Sequence, residues 1–260
     1  MPAAISSILF MSVKNILKRF IPRSIYLMKM NRRLRRFKGL TTAQVFSTIY
    51  KEDLWGSDGE NRYSSGEGTL NKNKKKYIDF LSSFIKNNHV KHVVDLGCGD
   101  FYIMKIVLEN VQGVHFTGVD IVPELIAYNQ QTYGAENINF VCLNAVTDEL
   151  PKGDLITVRQ VLQHLGNEQI SQILSRLKSY PYVLISEHLP LGNNVVKNKD
   201  KMQGPHIRMY YNSGVFVDAA PFHFPATPVF EYREDCYSLN KTQPAVIRTY
   251  LALNPGNSKW

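Results

Sequence analysis

The sequence predicts an α/β fold in which a doubly wound, mostly parallel sheet carries helices on both faces. Short apolar runs rich in β-branched residues alternate with amphipathic helical segments between residues 92 and 186. This alternation is typical of repeated strand–helix–strand units. A turn with two glycines, Gly97-Cys98-Gly99, leads from the first of these runs into a helix. A chain of 260 residues is long enough for one such core with additional segments around it.

The predicted elements follow one another in a regular order. We expect the strands at residues 92–96, 114–120, 138–143, 154–158, 182–186, 229–234 and 245–253. We expect helices at residues 41–50, at 70–88, directly after Gly99, from Ile121 with Pro123 in the first turn, and after residues 159–165, which lead into a helix.

Residues 1–40 form a separate, strongly basic arm. Ten of the 31 Lys and Arg residues lie there, without any acidic residue, so that the remaining chain is almost neutral. Apolar residues recur at steps of three and four, which predicts one or two amphipathic helices interrupted at Pro22. No apolar run is long enough for a spanning helix. The composition also fits a mitochondrial-type presequence, and Met11 is an alternative start.

Three roles for this arm stay open. It contacts a membrane surface, packs on the body or on a second copy of the chain in a homodimer, or contacts nucleic acid. Cys98, Cys142 and Cys236 form neither a C-x-x-C pair nor a disulfide framework, which indicates a reducing, cytoplasmic setting. The membrane alternative would place the protein at the inner face of the membrane. No His or Cys spacing predicts a metal site.

The glycine turn predicts a cofactor that contains a ribose and a cation but no phosphate. The third glycine of a dinucleotide-binding fingerprint would be residue 102, which is Tyr102. Asp95 precedes the turn, where it can hold a positively charged group. Asp120 ends the next strand, where it can accept both hydroxyls of a ribose.

The run D-L-G-C-G-D-F that begins at Asp95 resembles the first motif of the class I S-adenosylmethionine-dependent methyltransferases, with Phe101 in place of its third glycine. This resemblance covers residues 45–254. It implies a Rossmann-like seven-stranded sheet closed by an antiparallel hairpin, and S-adenosylmethionine as the cofactor. Together with the strand ends, it implies a cofactor site formed by Asp95, Gly97, Cys98, Gly99, Asp120, Ile121, Asn144, Ala145, Arg159 and Gln160.

Two further segments resemble a bacterial subset of these enzymes that is associated with surface-polysaccharide biosynthesis. They are IYKEDLWG…YSSGEGT, which begins at Ile49, and DLIxxRxVLQHL, which begins at Asp154. The resemblance implies a methyltransferase domain at 41–260 with a cap or lid at 41–69. In it, Trp55, Arg62, Tyr63, Ser65 and Gly66 close over the cofactor. It also implies O-methylation of a sugar or glycan precursor.

The acceptor is expected to bind at an insertion of residues 189–227, which follows the fifth strand. A hydroxyl acceptor calls for a general base, and we rank His188 first, then His206 and His223. Tyr63, Arg208 and Asp218 are candidate substrate ligands. His164 either lines the same edge or is a buried structural histidine.

Nucleic acid is not expected as the substrate. The body lacks a basic groove. The Asn/Asp-Pro-Pro-Tyr/Phe turn of enzymes that methylate base amines is also missing, because residues 158–161 are Val-Arg-Gln-Val. Two alternatives to glycan methylation stay open: methylation of a small cytosolic metabolite, or a catalytically inactive scaffold that binds the cofactor.

Overall fold

A computed structural model of the chain describes residues 23–56, 63–66, 73–238 and 241–254. Its main sheet has seven strands in the order β3-β2-β1-β4-β5-β9-β6. The strands are β1 (His92–Leu96), β2 (His115–Asp120), β3 (Ile138–Cys142), β4 (Leu155–Arg159), β5 (Tyr182–Pro190), β6 (Thr227–Arg233) and β9 (Ala245–Leu253), and a small hairpin consists of β7 (Cys236–Ser238) and β8 (Lys241–Gln243). The helices are α1 (Arg23–Leu34), α2 (Thr42–Lys51), α3 (Lys74–Asn87), α4 (Tyr102–Glu109), α5 (Pro123–Tyr133) and α6 (Asn167–Leu177).

The predicted doubly wound sheet is confirmed. Strands β1 to β5 are parallel, while β9 runs antiparallel to both β5 and β6. Both faces of the sheet are buried: Val93 belongs to the cluster that contains α3 and α4, whereas its neighbour Val94 belongs to the cluster that contains α2 and α6. Side chains that alternate along a strand explain why adjacent valines enter different clusters.

Helix α4 begins one residue after a strained position. Phe101 has a φ of 63°, in the left-handed region that a side chain rarely adopts. Its ring is 2% exposed and packs against Phe116, Tyr133 and Phe140 at centroid distances of 5.0 to 5.3 Å. Burial of this ring offsets the backbone strain at a position where the motif usually has glycine.

One predicted boundary was wrong. Strand β5 does not end at Glu187 and His188 but continues to Pro190, because β9 pairs with it along its whole length. This difference moves His188 into the interior of the sheet. After β4 the chain leads into a helix as expected: Gln160 has a φ of 56°, a 3₁₀ turn covers Leu162–His164, and α6 begins at Asn167.

The basic arm is described from Arg23 onwards, directly after the predicted break at Pro22, and residues 1–22 lie outside the described part. Met30, Leu34 and Phe37 are buried. A Cβ built on Gly204 would lie 3.0 Å from Leu34 Cδ2, so the arm and the segment after β5 are in close contact. That segment is mostly irregular, with a 3₁₀ turn at Arg208–Tyr211. None of the described helices is long and apolar enough to cross a bilayer.

Candidate active site

A cleft of about 1230 Å³, its open mouth included, lies at the carboxyl ends of β1, β2, β3 and β4. This is the edge at which doubly wound sheets bind ligands. All ten residues that we predicted for the cofactor line the cleft. They are Asp95, Gly97, Cys98, Gly99, Asp120, Ile121, Asn144, Ala145, Arg159 and Gln160. Four separate strand ends therefore contribute to one cavity.

The backbone amides of the glycine turn are all used within the protein. The N–H groups of Gly97 and Cys98 donate to Val119 O at 2.7 and 3.0 Å. Gly99 N donates to Asp120 Oδ2 at 3.2 Å, and the amides of Asp100 and Phe101 are also hydrogen-bonded. A phosphate-binding turn needs free amides. The arrangement fits a cofactor without a phosphate at this position.

Three carboxyl groups surround the same turn. Burial raises the pKa of Asp95 to about 6, although a hydrogen bond from Thr157 Oγ1 at 2.5 Å opposes the shift. Burial also raises the pKa of Asp100 and of Asp120. Carboxylates close together in a poorly solvated site favour a bound cation and disfavour an anion. The charge pattern thus suits a sulfonium group.

Arg159 places a cation near Asp95 in the lining of the cleft. Its guanidinium lies 5.1 Å from the ring centroid of Tyr77, which also lines the cleft. Arg159 lowers the pKa of Asp95, though by less than burial raises it. The cleft therefore has carboxylates that can bind a cation and, beside them, a guanidinium that can bind the carboxylate of a ligand.

Residues 63–66 form part of the roof over the glycine turn. Ser65 N donates to Asp100 Oδ2 at 2.9 Å, and Asp100 N donates to Ser65 Oγ at 2.9 Å. The hydroxyl of Tyr50 lies 3.2 Å from Ser65 Oγ. A Cβ on Gly99 would lie 2.2 Å from Ser65 Oγ, so only glycine permits this approach. We call this contact the Ser65–Asp100 latch.

Aromatic side chains complete the roof. Trp55 and His164 have ring centroids 5.0 Å apart, and Phe46 packs against both. Trp55 Nε1 donates to Pro205 O at 3.1 Å, which ties the region after α2 to the segment after β5. Burial lowers the pKa of His164 to about 3, so the imidazole stays neutral at physiological pH. His164 combines the two alternatives, since it lines the cleft and its Nδ1 donates to Gly204 O at 3.3 Å.

The three predicted general bases do not line this cleft. His188 lies on the face of β5 opposite to Glu187, and its Nε2 donates to Glu234 O at 2.7 Å. His206 packs against Tyr210, while His223 is exposed on the surface. The extended β5 turns His188 away from the cleft and the loop carries the other two outside it, while the choice of a general base stays a prediction.

The predicted substrate ligands also lie outside the lining of the cleft. Arg208 is 1% exposed, and its guanidinium donates to the backbone of Lys199 and Leu165. It therefore holds the loop together and is not available to a substrate. Asp218 is exposed. Tyr63 packs between Tyr50 and Tyr128 beside the latch, so it supports the roof.

Sequence reasoning missed Tyr50, Tyr77 and Asp100 as residues that line the cleft. Asp100 follows the second glycine directly, and this position was an available signal. The two tyrosines belong to the apolar faces of α2 and α3, where nothing in the sequence separates them from core residues. In the described part of the chain no three His, Cys, Asp or Glu side chains are grouped as metal ligands.

Comparison with known proteins agrees with this site. Residues 94–180 match the family described as methyltransferase domain. A malonyl-[acyl-carrier protein] O-methyltransferase from Acetivibrio thermocellus is 29% identical over 90 residues, which cover 34% of this chain and 32% of that protein. The match thus spans about a third of the relative's length.

A solved structure extends the similarity to the whole fold. The N-methyltransferase NodS from Bradyrhizobium japonicum, in complex with S-adenosyl-L-homocysteine, superposes with a TM-score of 0.51 at 14% identity. The superposition covers 77% of this chain and 97% of NodS. The sheet order and the cleft agree with both comparisons: residues 94–180 match a methyltransferase domain, and the chain shares the fold of NodS.

Proposed function

We propose that the protein transfers a methyl group from S-adenosylmethionine to an oxygen atom of a sugar or glycan precursor. The observation that carries the cofactor assignment is the ring of three carboxyl groups, Asp95, Asp100 and Asp120, around a turn without free amides. A sulfonium with a ribose and no phosphate complements these charges. When bound, it supplies an electrophilic methyl group.

Each part of the cleft has a role in this proposal. Asp120 accepts the ribose hydroxyls, because it lines the cleft and the backbone amides of Gly99, Ile121 and Val122 hold its carboxyl group in place. Ile121, Asn144 and Ala145 flank the adenine, and Arg159 receives the carboxylate of the methionine portion. The aromatic roof excludes water, which favours a displacement in which positive charge disappears.

The acceptor class is supported by the resemblance to enzymes of surface-polysaccharide biosynthesis and by the aromatic roof. Phe46, Tyr50 and Trp55 line the cleft with apolar ring faces, which suit the face of a sugar ring. We assign His164 to the orientation of the acceptor hydroxyl. A neutral imidazole can exchange a hydrogen bond with it, but a pKa of about 3 makes His164 a weak base.

Cofactor binding is tested by isothermal titration with S-adenosylmethionine and S-adenosyl-L-homocysteine. We expect Asp120→Asn to weaken both by at least tenfold, since charge-assisted hydrogen bonds to the ribose are lost. Asp79→Asn, an exposed change on α3, is the matched control and should bind like wild type. Unchanged binding by Asp120→Asn would make the site assignment wrong.

The acceptor is tested with methyl-labelled S-adenosylmethionine and a cell lysate, separated into glycan lipids, small metabolites, protein and nucleic acid. Label in the glycan fraction supports the proposal. Label only in small metabolites favours the metabolite enzyme, and label in the protein fraction points to a carrier-bound acceptor, the class named for the Acetivibrio relative. Binding without any label would favour the inactive scaffold.

A further inference from the structure

The arm helix α1 has two faces of different character. Met30 and Leu34 are each 4% exposed and pack on the body. On the helix, Ile25, Met28, Lys29 and Arg32 lie on the opposite side, since they are offset from these buried positions by half a turn. Met28 is 65% exposed and Ile25 is 40% exposed, and both cations are exposed as well. The packed helix therefore keeps an outer face on which apolar and basic residues alternate.

Further cations adjoin this outer face. Arg33, Arg35 and Lys38 are exposed. Tyr211 connects α1 to Lys199. Its hydroxyl donates to Asn31 Oδ1 at 2.9 Å, and its ring centroid lies 5.3 Å from Lys199 Nζ. We use the name basic face for the outer side of α1 from Ile25 onwards, together with the turn that ends at Lys38 and the side chain of Lys199.

Of the described acidic residues, only Glu52 forms an ion pair with the basic face, through Arg36 at 2.8 Å. Asp200 accepts hydrogen bonds from the backbone of Asn167 and Lys201, both at 2.8 Å, and thus serves the loop. The outer side chains Lys29 and Arg32 have no carboxylate within ion-pair distance among the described residues.

We propose that the basic face docks on an anionic phospholipid bilayer. Cations attract the lipid phosphates, while Met28 and Ile25 enter the interface between headgroups and acyl chains. A second copy of the chain that met this face with its own basic face would present the same positive charge and be repelled. Residues 1–22 have basic residues and no acid, so they do not complement the face either, but they continue its apolar and basic composition. This proposal concerns a surface outside the cleft and does not depend on the acceptor.

Sedimentation of the full chain with vesicles tests the proposal. At low salt, wild type should bind vesicles of phosphatidylcholine with 30% phosphatidylglycerol but not vesicles of phosphatidylcholine alone. The anionic vesicles have roughly the negative charge of a cytoplasmic leaflet. Lys29→Glu/Arg32→Glu should weaken binding more than tenfold, because each cation near an anionic surface contributes about fivefold. Ile25→Ser/Met28→Ser should also weaken binding, which a purely electrostatic contact does not predict.

Lys76→Glu/Lys86→Glu is the matched control, with the same change of net charge on the exposed side of α3. Helix α3 packs on the other face of the sheet, so this variant should keep most of the binding. Three results would overturn the proposal: no binding by wild type, equal loss in the control, or full binding by Ile25→Ser/Met28→Ser. Circular dichroism checks that each variant is folded. Methyltransferase activity on a soluble acceptor should be the same in all of them.

Discussion

At the scale of single residues, the acidic groups at the glycine turn define the chemistry of the cleft. Asp95 is the most informative, because burial raises its pKa to about 6 while Thr157 and Arg159 oppose the shift. Its charge therefore changes in a pH range that is accessible to measurement. Asp95 and Asp120 could both be identified from the sequence, since each lies at the end of an apolar strand.

Asp95→Asn should weaken binding of S-adenosylmethionine about tenfold at pH 7.5, because ~1.4 kcal/mol of attraction to the sulfonium is lost. S-adenosyl-L-homocysteine has a neutral sulfur, so its affinity should change much less. Titration calorimetry of both ligands from pH 5 to pH 8 measures this. In wild type, the preference for the sulfonium should fall as the pH drops through 6 and Asp95 takes up a proton. Equal losses for both ligands would show that Asp95 does not sense the charge.

At the scale of elements, the cleft is closed by segments that are far apart in the chain. The helix α2 was predictable in detail: Thr41 and Gln44 form a capping box, and Val45, Phe46 and Ile49 are buried, as expected from the pattern of the segment. Its contact with residues 63–66 was not predictable. The Ser65–Asp100 latch joins positions 35 residues apart through a single pair of reciprocal hydrogen bonds, and such a pair leaves no periodic signal.

Ser65→Ala should weaken cofactor binding roughly fivefold, since Asp100 N loses a hydrogen-bond partner worth about 1 kcal/mol. The affinity measured by calorimetry should fall while the melting temperature changes little, because residues 63–66 contribute little to the core. Ser83→Ala on the exposed side of α3 is the control. A large loss of stability with unchanged affinity would mean that the latch is structural only.

At the scale of the whole molecule, a buried acid links the site to stability. Glu187 is fully buried in β5, where Oε1 accepts Leu162 N at 2.9 Å and thereby supports the turn that contains His164. Its other oxygen has no hydrogen-bond partner among the described residues. Burial raises the pKa of Glu187 to about 8, so the side chain is mostly protonated at pH 7.

Glu187→Gln should therefore be tolerated, since an amide resembles a protonated carboxyl group. The folded pKa of about 8 exceeds the usual value of 4.5, so wild type binds one more proton when folded. As the pH rises from 4.5 to 8, the free energy of unfolding of wild type should therefore fall relative to that of Glu187→Gln, by up to about 1.4 kcal/mol per pH unit. Urea unfolding of both proteins at pH 5, 6.5 and 8 measures this difference. Parallel stability curves would contradict the raised pKa.

The sequence by itself determined the doubly wound sheet and the glycine turn, which depend on local periodicity and turn residues. Ten of the residues that line the cleft followed from the family resemblance and from the rule that parallel strands present their carboxyl ends at one edge. Only the tertiary structure decided which histidine reaches the cleft. His188 is excluded by the pairing of β5 with β9, which continues to Pro190, and His164 is placed by contacts with Trp55 and Gly204. Contacts between segments so distant in the chain depend on the packing of the complete fold, which no local pattern encodes.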